Sequence, residues 1–155
     1  MSLNINHAAD LITPSSGVLN VIGTSLQFNG SPVGKHVLGA SWSGAGSALT
    51  TSTDVVYVTA HTSGTITRVT LLTQGGSGSC VVDIWKDTYA NYPPVVGDSI
   101  TASAKPTISS TTKSQDTTLT GWTTSVSAGD ILRFNVDSIT TCTRVLVSLT
   151  ITRTS

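Results

Sequence analysis

Between Ile131 and Thr152 the chain alternates apolar and polar residues with a period of two, twice over. Leu132, Phe134 and Val136 share one side against Arg133 and Asn135. Val145, Val147, Leu149 and Ile151 then share one side against Arg144, Ser148, Thr150 and Thr152. Successive side chains of a strand point to opposite faces, so this spacing demands strands with one apolar and one wet face. On a helix the same residues would be scattered around the circumference.

The same reading extends upstream. Ala128-Gly129-Asp130 is a turn signal, preceded by an expected strand over Thr117–Val126. Thr65–Thr73 places Val69 and Leu71 inward against Arg68, Thr70 and Leu72. The Gly75-Gly76-Ser77-Gly78 run is expected to return the chain through Cys80 to Trp85 as a hairpin. Asp54–Ala60 carries apolar residues on both faces, Val56 and Val58 against Val55 and Tyr57, which predicts a strand buried between layers. From Tyr89 to Asp98 the breakers Pro93-Pro94 and Gly97-Asp98 interrupt any period and predict a long surface loop. Strands recurring about every 8 to 12 residues with turn signals between them predict an all-β fold, a jelly-roll-type antiparallel β-sandwich.

Composition supports that class and removes several functions. Hydrophobic residues are 38% of the chain and charged ones only 10%, against roughly 25% charged in an average soluble domain. Ser and Thr together make up nearly a third, so hydroxyls coat the surface in place of charges. All eight acidic residues are Asp, and eight Lys and Arg balance them to a formal net charge of zero. No basic stripe is present to neutralise phosphates, so nucleic acid is not an expected partner. A neutral hydroxyl-rich surface tolerates close neighbours without mutual repulsion, which suits a crowded array. The opening segment MSLNINHAADLITPSS has neither a basic n-region nor a continuous apolar run. Neither a signal peptide nor a membrane association is expected, and synthesis in the cytoplasm is.

Residues 1–35 have a different texture from residues 36–155. Leu11, Ile12, Val18, Leu19, Val21, Ile22, Leu26 and Phe28 come in short groups broken by Asn, Gly, Ser and Pro, too short to fold alone. Asn29-Gly30 is a tight-turn signal, because both central residues of a type I′ turn need positive φ. The expectation is an extended N-terminal β arm, for oligomerisation and docking, on a single sandwich domain. Such an arm is either disordered in a free monomer or buried against symmetry mates and a docking surface, and the second is expected.

Candidate chemistry is sparse. His7, His36 and His61 lie far apart, without a spacing that sets two on one face for a metal. Asp87 and Asp98 are the residues nearest to a loop cation site. Asp83 with Asp87, or Asp130 with Asp137, are the carboxylate pairs available for acid–base work, but their neighbours read as turn caps and strand-edge solubilisers. No GxSxG elbow occurs, and Gly75 to Gly78 lacks the lysine of a phosphate loop. Neither catalysis nor a cofactor is expected. Cys80 and Cys142 form no metal motif and read as free buried thiols, pairing being the alternative. Trp85, Tyr89 and Tyr92 offer flat faces of the kind on which sugar rings stack. The competing reading has Trp85 and Trp122 plugging the two ends of the core while the tyrosines anchor the loop.

The stretch VDIWKDTYANYPPVVGDSI and the following KPTISSTTKSQDTTLTGWTTSVSAGDILRFNVDS resemble a β-sandwich module of tailed-phage virion surface proteins. That family includes capsid decoration or cement proteins and head fibres, and a similar module occurs in tail fibres. The likeness runs from about Ile66 to Arg153. ITPSSGVLNVIGTSLQFNGSPV is similar to shaft pieces of trimeric phage fibres. The resemblance implies a viral structural protein on the virion surface: a homotrimer docked on the phage major capsid protein. The alternative it leaves open is a tail-fibre or receptor-binding tip module that recognises host-surface glycan. A tail fibre normally carries its own attachment domain and shaft, whereas here the fibre-like arm starts almost at Met1, which favours decoration.

Overall fold

The computed structural model describes residues 27–28, 31–32, 34–51, 55–76 and 78–154. Two short antiparallel strands, β1 (Gln27–Phe28) and β2 (Ser31–Pro32), pair across the Asn29-Gly30 position where the tight turn is expected. Of the arm residues singled out above, only Phe28 falls on a described strand; the other seven lie outside the described residues.

Nine further strands follow: β3 (Lys35–Ser43), β4 (Val56–Thr59), β5 (Gly64–Gln74), β6 (Ser79–Asp87), β7 (Thr107–Ser109), β8 (Lys113–Asp116), β9 (Ser125–Val126), β10 (Ile131–Thr140) and β11 (Arg144–Arg153). One sheet has the order β3-β11-β5-β8, with β9 pairing the start of β5, and the other has the order β4-β10-β6-β7. With β9 set aside as an accessory, the remaining strands run 1-8-3-6 in one sheet and 2-7-4-5 in the other. That is jelly-roll connectivity, in which the chain crosses between sheets at nearly every turn. All assigned strand pairs are antiparallel.

The core lies between the two sheets and is built by the alternating positions. Val145, Val147, Leu149 and Ile151 of β11 and Leu132 and Phe134 of β10 are buried, as the period of two predicts. They meet Leu38, Ala40 and Trp42 of β3, Ile66, Val69 and Leu71 of β5, and Cys80, Val82 and Ile84 of β6. Each fully buried aliphatic or aromatic side chain stabilises the fold by roughly 1.5–3 kcal/mol. Bulges reset the phase where strict alternation would turn the wrong side chain inward. A register shift opposite Thr150/Ile151 lets Ile66 and Val69, three apart, both face the core. A second shift, between Val136 and Ser138, leaves Asp137 unpaired and exposed at the bulge.

Four expectations are corrected. Gly75 to Gly78 does not close a hairpin: β5 and β6 belong to different sheets. Both edges of β5 are already occupied by β11 and β8, and Gly75 and Gly76, with φ of 110° and 116°, carry the chain across to the opposite sheet. Asp54–Ala60 is not buried between layers, because β4 pairs only with β10 and lies at the edge of its sheet. Val56 and Val58 pack on the core while Val55 is exposed. Thr117–Val126 is mostly a loop. Asp116 accepts hydrogen bonds from the Thr118 and Leu119 amides at 2.7 and 3.3 Å, and positive φ at Leu119 and Gly121 bends the chain there. Only Ser125–Val126 pairs, and the preceding strand is β8. Finally, Asn135 does not face solvent but is buried on the outer side of its sheet.

Candidate functional site

The outer face of the β4-β10-β6 sheet gathers the aromatic residues. Tyr57, Arg133 and Trp85 are direct cross-strand neighbours, since Arg133 is in register with Tyr57 on one side and Trp85 on the other. The Arg133 guanidinium lies 4.4 Å from the Trp85 ring centre and 5.8 Å from that of Tyr57. Tyr92 packs against Tyr57 with centroids 5.2 Å apart and planes tilted by 56°. Arg133 also donates from Nε to Asn135 Oδ1 at 2.8 Å and from Nη1 to the Pro94 carbonyl at 3.2 Å. One side chain thereby clamps the loop over residues 88–99 onto the sheet, using its planar donor fork and its affinity for aromatic faces together.

Trp85 and Tyr92 therefore share one cluster, while Tyr89 stands apart at 81% exposure. Trp85 does not plug the core: it lies on the outer face beneath a guanidinium. Trp122 is partly buried against the core and donates from Nε1 to the Ala104 carbonyl at 2.9 Å. The third tryptophan, Trp42, is the one that is fully a core residue. Tyr57 and Arg133 were not legible as members of this cluster. Sequence shows them as outward residues of two strands, and only the pairing register shows that they meet.

A buried strut lies beside this cluster. Asp83, also on the outer side of β6 and 1% exposed, accepts hydrogen bonds from Thr101 Oγ1 at 2.7 Å, Ser99 Oγ at 2.8 Å and the Ile84 amide at 2.8 Å. Lys105 Nζ bridges Asp83 at 3.0 Å and the bulged Asp137 at 2.6 Å. Burial pushes the Asp83 carboxyl up. The donors of Thr101, Ser99 and Lys105 outweigh that and hold it below the ordinary carboxylate range. The Trp85 indole N–H is buried without a hydrogen-bond partner. Hydrogen bonds to Asp137 and Asp83 raise Lys105 in turn.

The remaining described carboxylates have structural partners as well. Asp130 pairs with Lys86 at 3.1 Å and accepts the Ser127 amide, Asp87 accepts the Thr88 amide and Asn91, and Asp98 accepts the Val95 amide. Asp130 immediately precedes β10, and Asp137 lies within it at the bulge. His36 lies 3.2 Å from Thr62 Oγ1, and His7 is outside the described residues. Among the described residues no three of His, Cys and Asp converge as a ligand set. Cys80 and Cys142 are free and buried; burial, with Cys142 nearby, pushes the Cys80 thiol up to about 12.

The opposite face, on β3-β11-β5-β8, is open and chemically different. Val37, Leu72 and Leu146 are 62%, 42% and 39% exposed, set among Ser, Thr and Gly. Shallow hollows of about 260 and 440 Å³ flank Leu146 and Leu72. Compared with known protein families, curated proteins and solved structures, the chain matches none.

Proposed function

We propose that this chain is a non-enzymatic structural protein of a tailed-phage virion. In this reading it is a trimeric decoration or cement protein that docks on the major capsid protein and stabilises the shell. The observation that carries the reading is that the carboxylates of the described residues are committed to architecture. Each described Asp caps a turn, braces a loop or pairs with a lysine. What remains available is surface: a jelly-roll sandwich with exposed apolar residues on its outer faces. Fold alone fixes no function, and the viral assignment rests on the resemblance of Ile66 to Arg153.

The mechanism is multivalent. A footprint too weak to hold one copy becomes tight when a trimer presents three, because the second and third contacts form at high effective concentration. Residues 1–35 supply the arm that joins copies and clamps the shell. Against the glycan-binding alternative, the most favourable aromatic platform, Trp85, already has a guanidinium over its ring, which leaves the exposed Tyr89 and the half-exposed Tyr92.

Imaging whole particles tests the reading. Hundreds of copies spread over the head are expected, and a small number confined to the tail would refute it in favour of adhesion. Deleting residues 1–31 is expected to abolish attachment to capsids; under the adhesion reading that deletion leaves glycan binding intact.

A further inference from the structure

The formal charge of zero hides a strong segregation of charge. On the β3-β11-β5-β8 sheet, Lys35, Arg68, Lys113 and Arg144 point outward, as their register with the outward residues Thr152, Thr150, Leu72 and Gln74 shows. Those four strands hold a single carboxylate, Asp116, which is turned to the amides of Thr118 and Leu119. Every ion pair among the described residues lies elsewhere, on Lys86 and Lys105. The four outward cations are thus unpaired among the described residues, on a face with no outward carboxylate in its strands.

Their layout surrounds a neutral centre. Leu146 and Leu72 are cross-strand neighbours, with Lys113 beside Leu72 and Arg144 two residues before Leu146. Val37 lies across from Thr150, with Lys35 two residues before it, and Arg68 flanks Thr150 on the other side. Between Val37 and Ser41, Gly39 packs so tightly on the Val147 carbonyl and Ser148 that a Cβ could not be admitted, and it lines the shallow hollow beside Leu146. An apolar, hydroxyl-rich centre with a charged rim is the anatomy of a protein–protein interface. A polyanionic strand or sugar chain is typically held by aromatic stacking as well, and the one Phe, Tyr or Trp in these strands, Trp42, is buried in the core.

We infer that the outer face of the β3-β11-β5-β8 sheet is a docking face for an acidic protein surface, with Lys35, Arg68, Lys113 and Arg144 as its electrostatic rim. This rests on the decoration reading, under which the acidic surface belongs to the capsid shell. The cations set orientation and encounter rate, and the centre excludes water.

The test uses the full chain and shells assembled without it. Wild type is expected to bind, more weakly as salt rises from about 50 to 500 mM. The double reversal Lys113→Asp with Arg144→Asp is expected to lose at least about tenfold in affinity, while keeping the wild-type melting temperature. Tyr89→Asp, on the opposite side of the sandwich, is expected to bind as wild type does. Unchanged binding by the double reversal would overturn the docking face and leave the decoration reading standing. Failure of wild type to bind the shells would sink both. Salt-sensitive self-association that the reversal abolishes, seen by sedimentation without shells, would replace the acidic partner with a second copy of this chain.

Discussion

Replacing Asp83 by Ala removes the acceptor on which the loop after β6 converges. Thr101 Oγ1, fully buried, and the Ile84 amide lose their partner, while Ser99 stays 3.2 Å from Thr101 and Lys105 keeps Asp137. Stranding a buried donor costs about 1–3 kcal/mol, so the two together give a loss of about 2–5 kcal/mol once partial repartnering is allowed. For a chain of this size that corresponds to a fall in melting temperature of roughly 5–20 °C. Asp83→Asn keeps an acceptor for Thr101 and loses only the charge facing Lys105, so it falls between wild type and Asp83→Ala. Urea unfolding followed by Trp fluorescence reads both, since Trp85 lies two residues away on the same side of the strand. The pH dependence follows from the lowered carboxyl. Its stabilisation is fully present above the ordinary Asp range and is lost as pH falls through the depressed folded value. Wild type should therefore lose stability in strong acid, and Asp83→Asn should lose less over the same interval. A Asp83→Ala protein within about 0.5 kcal/mol of wild type would refute the claim that this carboxylate braces the loop.

Arg133→Ala removes two cation–π contacts and two hydrogen bonds and should cost about 2–4 kcal/mol, with a proteolytic cut appearing within residues 88–99; Arg133→Lys should restore only part, because lysine lacks the planar fork. Gly39→Ala should destabilise by about 1–3 kcal/mol in denaturant titration, because its Cβ meets the Val147 carbonyl. Gly97→Ala, with open space around it, should stay within about 0.5 kcal/mol. A thiol reagent at pH 8 should leave Cys80 and Cys142 unmodified in the native protein and label both in urea, since burial holds Cys80 near 12.

The inward sets of β5, β10 and β11 could be read from the sequence because a half-buried strand carries its own period. The same holds for the turn at Ala128-Gly129-Asp130. β3 escaped that reading: Leu38, Ala40 and Trp42 do alternate, but Gly39 and the small Ser41 dilute the signal. The partition of strands into two sheets escaped it too, since glycines at 75 and 76 serve a crossover as well as a hairpin. The aromatic cluster needed the register of three strands, which no local pattern encodes. The one-sided cations escaped for a similar reason: Lys35, Arg68, Lys113 and Arg144 are spread along the chain, and only folding puts them on one side.

β11 sits between β3 and β5, pairing with both along nearly its whole length. Until residues 144–153 have been synthesised, both neighbours present raw edges to whatever chain is near. A nascent copy is therefore vulnerable to wrong strand partners until that segment has emerged. Any frameshift or stop codon ahead of Val145 should yield insoluble material rather than a shortened domain. Sequence separation this long also slows folding, since distant segments must meet before β11 can pair with either neighbour.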